Sequence, residues 1–274
     1  MKTALLTSRG VVRITGADAQ DWLQGLITND IARADASQAC FAALLSPQGK
    51  ILFDFLVHRR DKTFLLDCAA DQAAALARRL GMYRLRAKVE ATQEADFGVA
   101  AIWDTDTRPH PLALRDPRHP GLGWRVLDDQ AALSRLVAPG AGESEYAAHR
   151  IALGIPEGGM DFSWNDIFPH DADMDELGGV DFKKGCYVGQ EVVSRVQHRG
   201  TARKRFRPVT FPAQTPAQGT DILAGENLVG TIATISGQAG LALFRIDRLM
   251  EALEAGHSLE AGGHAVLPVT TREK

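Results

Sequence analysis

Apolar and polar positions alternate through much of the first hundred residues. Residues 5–14 read as a strand region broken by a turn at Arg9-Gly10, and residues 39–45 and 51–58 are β-rich runs joined by Ser-Pro-Gln-Gly-Lys. Pro47 and Gly49 supply turn chemistry there, so a hairpin is predicted. Before it, Trp22, Leu23, Leu26 and Ile27 fall at helical spacing, with Thr15 or Asp18 as the cap. Residues 63–67 give another strand, and residues 69–80 a helix whose Arg78 and Arg79 read as a solvated face. Short strands over residues 89–92 and 97–103 then complete a compact α+β pattern.

The periodicity fades over residues 104–123, where Pro, Asp, Arg and His predict a turn-dense connection with solvated or structural histidines at His110 and His119. A strand is predicted over 124–127 and helices over 130–137 and 143–153, the last capped by Ser144 and carrying Tyr146, His149 and Arg150. The planar fork of Arg150 suits a ligand carboxylate, with an ion pair to the following acids as the alternative. From Arg207 onward, Pro, Gly and Gln punctuate about five short β-rich runs, which imply a small barrel or sandwich. The change in composition predicts two domains, 1–202 and 203–274.

At 274 residues the chain can bury a substantial core, and 45% apolar with 24% charged residues is ordinary for a globular protein. A formal net charge of -3 argues neither for a dedicated nucleic-acid binder nor for a membrane-surface protein. No apolar run reaches the length of a spanning helix, and residues 1–10 lack the pattern of a secretory signal. Three widely spaced cysteines, Cys40, Cys68 and Cys186, form no disulfide framework and no zinc pattern. A reducing compartment is implied, with the cytoplasm as the expected location.

The chemistry concentrates in residues 180–200, VDFKKGCYVGQEVVSRVQHRG. Cys186 lies between Gly185 and Gly189, which are expected to allow left-handed or closely packed backbone. Lys183 and Lys184 place positive charge beside the thiol, which favours thiolate. A free, half-buried cysteine in an ordinary turn is the plainer alternative. Upstream, Asp171, Asp173 and Asp175 alternate as in a calcium loop, but Glu176 and Phe182 stand where that loop needs Gly and Glu. No bound metal is predicted. Downstream, Arg203, Lys204, Arg205 and Arg207 join Lys183, Lys184, Arg195 and Arg199 in a basic cluster suited to a polyglutamyl tail, RNA phosphates or an acidic partner. The cluster lacks interleaved aromatics, which counts against RNA.

The run KGCYVGQE, with Arg195 and His198-Arg199-Gly200 after it, resembles the signature of the YgfZ family. These are folate-binding proteins of iron–sulfur cluster assembly, related to the aminomethyltransferase of the glycine cleavage system. The opening through Thr28-Asn29-Asp30, the YRLRAKV phrase at 83–89 and Gly154-Ile155-Pro156 are similar to that family as well. The resemblance implies an aminomethyltransferase-like α+β region followed by a C-terminal β-barrel. It implies tetrahydrofolate as cofactor, with Asp171, Asp173, Tyr187, Gln190, Glu191, Arg195, Arg199 and Arg150 as contacts, and iron–sulfur assembly proteins or their clients as partners. Cys186, assisted by Lys184, is the expected reactive group, and Phe53 and Tyr187 the apolar slot. Where the transferases carry paired aspartates, this chain has Phe53-Asp54, which leaves Asp54 as the single carboxylate for a one-carbon transferase, the second reading. An RNA-binding or tRNA-modification accessory role is the third.

Overall fold

The computed structural model describes residues 1–137, 142–200 and 202–269. The residues 270–274 of the predicted second domain therefore lie outside the description. The first part of the chain forms β1 (Lys2–Leu5), β2 (Arg9–Thr15), α1 (Ala19–Gln24), β3 (Cys40–Leu45), β4 (Ile51–Arg60), β5 (Thr63–Ala69), α2 (Ala73–Met82), β6 (Glu90–Glu94) and β7 (Phe97–Trp103). Next come β8 (Leu114–Arg115), β9 (Trp124–Asp129), α3 (Gln130–Leu136), α4 (Glu143–Ala152) and α5 (Gln190–Arg199). The last part forms β10 (Lys204–Thr210), β11 (Asp221–Ala224), β12 (Asn227–Ser236), β13 (Ala239–Arg245), α6 (Ile246–Glu254), β14 (Leu259–Ala261) and β15 (His264–Pro268).

Three antiparallel sheets result. The first runs β3-β4-β5-β2-β6, the second β1-β7-β9-β8, and the third closes into a barrel, β10-β13-β12-β11-β14-β15. Consecutive strands β1 and β2 enter different sheets, because the turn falls at Thr7-Ser8 rather than at Arg9-Gly10. One face of the first sheet presents Val12, Ile14, Phe53, Phe55, Val57 and Leu66 to the helices α1 and α2. The opposite face, with Val11, Leu56 and Leu65, packs against Val99, Ala101 and Trp103 of the second sheet. The period-two alternation of a strand separates these faces, so Phe53 and Asp54 point to opposite sides of β4. Phe53 and Tyr187, expected to form one apolar slot, pack into different clusters, Phe53 under α1 and α2 and Tyr187 between the sheets.

Helix ends differ from the expectation. Asp18 stands at the start of α1, yet its carboxylate accepts from the Lys88 N–H at 2.7 Å instead of capping the helix. At α4 the N-cap is Gly142, not Ser144. In the barrel, α6 and β14 add to the predicted runs, and the sheet closes as expected of the C-terminal barrel. Its interior is Val209, Phe211, Ile222, Ile232 and Phe244, covered at one end by Leu249 of α6. Phe206 and Leu241 leave that interior and belong to the main core, where the Phe206 ring lies 6.1 Å from that of Phe162.

Candidate functional site

The approach to Cys186 is fixed by polar side chains of the Thr28-Asn29 segment. The Thr28 hydroxyl donates to the Gly179 carbonyl at 2.7 Å, and the Asn29 amide donates to the carbonyls of Gly178 and Phe41, each at 2.7 Å. Asp181 then starts a tight turn, its carboxylate accepting from the N–H groups of Lys183 at 2.7 Å and Lys184 at 3.1 Å and from Arg33 at 2.9 Å. The Lys184 ammonium is committed to backbone carbonyls. It donates to the carbonyls of Gln24, Ile27 and Asn29 at 2.7, 2.6 and 2.8 Å, just past the end of α1. Burial lowers its pKa to about 8. Lys184 is thus an anchor of the loop, and its predicted role as activator of Cys186 is corrected.

On the other side of Cys186, Tyr187 is buried in the main core. Gly189 adopts φ +81° at the start of α5, and a Cβ there would meet the Ser46 carbonyl at 2.6 Å. The β3–β4 turn and the start of α5 therefore touch backbone to backbone. Gly185 has no positive φ and open space around its Cα, so the expectation for the two glycines holds for Gly189 alone. Between the anchors, Cys186 is exposed, whereas Cys40 and Cys68 are buried with their thiols pushed up to about 12 by burial.

The residues predicted to contact folate separate into three places. Glu191, Arg195, His198 and Arg199 stand exposed on α5 and Gln190 is half-buried, while Val193 fixes the helix to the core. Asp171 is half-buried, accepts from the Phe168 N–H at 3.3 Å, and has its pKa raised by burial. Asp173 is fully buried and pairs with Arg205 and Arg207, each at 3.5 Å, and Arg205 also holds Asp175. These pairs commit two of the eight residues of the predicted basic cluster, Arg205 and Arg207, to docking the barrel onto the preceding loop.

Arg150 belongs to a layer of buried charge between the first two sheets. It pairs with Asp161 at 2.7 Å and with Glu157 at 3.2 Å, so the structural alternative for this residue is the one realised. Arg9 joins Asp67 and Glu157, each at 2.6 Å, and Arg125 lies 3.3 Å from Asp67 and 3.4 Å from Asp116, which Arg118 also grips. Burial opposes the charge on Glu157, but Arg9 and Arg150 outweigh it and hold its pKa at about 2. Asp54 borders this layer. One oxygen accepts from the Gly158 N–H at 3.2 Å, the other is buried without a partner, and burial raises its pKa. Arg9, Asp67 and Glu157 were not among the predicted site residues. Their signal was a charge at an inward strand position, as in Phe-Leu-Leu-Asp-Cys-Ala of β5.

Two adjoining cavities open above this layer. One of about 300 Å³ is lined by Leu6, Arg9, Tyr146, Ala147, Arg150 and Glu157 among others; the second, of about 220 Å³, shares Ser8, Glu157 and Met160 with it and reaches Gly158. No residue of the Cys186 loop lines either one. A cavity of about 310 Å³ beside α6 in the barrel involves neither group. Among the described residues no cluster of His, Cys, Asp and Glu has the arrangement of a metal site.

Comparison with known proteins gives this geometry a context. The human iron-sulfur cluster assembly factor IBA57, mitochondrial, is 30% identical, covering 89% of this chain and 77% of the human protein. The chain belongs to the IBA57 family. The homologue in Coccidioides immitis is 30% identical over 92% of this chain and 73% of its own length. That in Mycosarcoma maydis is 34% identical, and the chain spans 57% of it. Residues 203–272 match the family described as CAF17, C-terminal beta-barrel domain. The fold is that of glycine cleavage system aminomethyltransferase T from Bartonella henselae, with a TM-score of 0.76 over 98% of this chain and 85% of that one, at 15% identity. The aminomethyltransferase-like α+β fold with a terminal barrel is therefore established. The expected cytoplasmic location is corrected, since these IBA57 relatives are mitochondrial proteins by name. Free thiols indicate a reducing compartment and do not distinguish between two of them.

Proposed function

We propose that this chain assists iron–sulfur cluster assembly or repair by presenting Cys186 to iron, sulfur or a cluster carried by a partner protein. The observation that carries this reading is an exposed thiol on a loop fixed on both sides, in a member of the IBA57 family. A single thiolate leaves most positions of a cluster to other ligands, because clusters take four cysteines or their substitutes. A partner chain or a small thiol supplies the rest, and the short, anchored loop lowers the ordering cost of joining them. Cys186→Ser is expected to fold normally and to lose the ability to restore cluster-dependent enzymes in cells lacking the protein. Full restoration by this variant would overturn the proposal.

The finer reading, that of a YgfZ-type folate binder, concerns the cleft. A pterin needs apolar walls and an acid for its ring edge. Leu6, Ala147 and Met160 offer the walls, and Glu157, kept ionised by Arg9 and Arg150, the acid. The orphaned oxygen of Asp54 behind Gly158 is a second acceptor close by. The ring fits this lining, while Arg9 and Arg150 are already paired and leave the glutamate tail to groups outside the cleft. Bound folate would supply a one-carbon carrier, and the residues named would hold its ring. Titration of tetrahydrofolate, followed by tryptophan fluorescence, is expected to show saturable binding weakened at least tenfold in Glu157→Gln, about the loss of one charge-assisted hydrogen bond.

Transfer of a one-carbon unit is the second reading, and Asp54 is what favours it. Its raised pKa and unpartnered oxygen suit a proton acceptor, yet it is sealed behind Gly158. Turnover of an aminomethyl donor that is lost in Asp54→Asn and kept in Cys186→Ser would place this reading first. RNA is the less favoured partner, because Arg205 and Arg207 are already paired with acids.

A further inference from the structure

The turn that follows α2 presents apolar side chains where a soluble surface ordinarily hides them. Leu85 is 92% exposed and Met82 70% exposed, the former the most exposed large hydrophobic of the described residues. Leu85 also has φ +43°, in the left-handed region that a branched side chain disfavours. The turn is held in this shape from both ends. The Trp22 indole donates to the Tyr83 carbonyl at 3.1 Å, and Asp18 accepts from the Lys88 N–H at 2.7 Å. Within it, the Arg84 N–H donates to the Gly81 carbonyl at 3.2 Å and the Ala87 N–H to the Arg84 carbonyl at 2.8 Å. Backbone strain at an exposed leucine, maintained by four hydrogen bonds, has no packing to explain it.

Positive charge surrounds the two apolar side chains. Arg78, Arg84, Arg86 and Lys88 are all exposed, and none forms an ion pair among the described residues. The buried arginines, by contrast, are matched to acids, at Arg9, Arg118, Arg125 and Arg150. We infer that the 82–88 turn is a preformed docking knuckle for a partner protein whose surface carries carboxylates around an apolar pocket. Leu85 and Met82 enter the pocket, and the unpaired arginines meet its acidic rim.

Charge complementarity selects this occupant. Arg and Met are favoured at interface centres, and a rigid presenting turn loses little entropy on docking. Tyr83, the one aromatic in the turn, is half-buried with the Arg79 guanidinium 5.9 Å from its ring centre, so no base can stack on that face. No residue of the knuckle lines the cleft, and its role is independent of the folate reading.

A displayed library of random dodecapeptides, selected on the full chain, tests the idea. Enrichment of peptides with several carboxylates flanking an apolar residue is expected. Their binding should weaken about tenfold or more in Leu85→Gly and in Arg84→Glu/Arg86→Glu, the loss of a central contact. Leu85→Gly relieves the backbone strain, so its Tm should equal or exceed that of the unaltered protein while binding falls. Enriched peptides without acidic excess, or equal binding to the variants, overturn the inference. So does knuckle-dependent binding to phosphatidylserine vesicles or to an oligouridine in place of the peptides.

Discussion

At the scale of single residues, burial sets the behaviour of the titratable groups. His58 is buried between the sheets with Nε2 unpartnered, and burial lowers its pKa to about 4. An unfolded histidine titrates near 6.5, so between about 6.5 and 4 the unfolded chain binds the extra proton. Stability therefore falls as pH drops through that window, by on the order of 2–3 kcal/mol for this one group. The urea midpoint should decline from pH 7 to pH 5, and His58→Leu should flatten the decline. Glu157 acts in a lower window, between its ordinary value and about 2, where acid discharges the carboxylate that Arg9 and Arg150 hold. Gly189 makes a different prediction. Gly189→Ala forces a Cβ to 2.6 Å from the Ser46 carbonyl at φ +81°, which should cost about 1–3 kcal/mol in thermal or urea unfolding.

At the scale of elements, the Cys186 loop owes its shape to contacts far away in sequence. Lys184 reaches the end of α1, and Thr28 and Asn29 reach the turn at Gly178-Gly179 before Asp181. Lys184→Met removes three hydrogen bonds and leaves three carbonyls to water. A loss of about 1–3 kcal/mol is expected, with faster amide exchange over residues 182–189 as the measured signature. If exchange there is unchanged, the ammonium does not anchor the loop. The hairpin of β3 and β4 and the helix α4 were readable from apolar spacing and turn residues. Helix α6 was not, because it follows β13 without a Gly or Pro to mark the change, and its burial is confined to Leu249 and Ala252.

At the scale of the molecule, the barrel is held to the rest by a shared core and by ion pairs. Phe206 is fully buried against Phe162, and Arg205 and Arg207 bind Asp173 and Asp175. All four tryptophans, Trp22, Trp103, Trp124 and Trp164, lie outside the barrel. Their fluorescence and the far-ultraviolet circular dichroism of all the strands should nevertheless report one coincident unfolding transition. Phe206→Ala is expected to cost about 3–5 kcal/mol, the usual penalty for emptying a buried aromatic site. Separate transitions would show a barrel that folds alone.

Most strand and helix positions, the α+β class and the terminal β-rich unit followed from local pattern, because periodicity and turn chemistry act between near neighbours. Which charges would meet did not. Arg150 and Asp173 looked like ligand contacts, and Lys184 like an activator of the thiol. Only the folded arrangement brings Glu157 to Arg150, Arg205 to Asp173 and three carbonyls to Lys184. A charged side chain commits to its nearest partners in three dimensions, and sequence spacing carries no record of that distance.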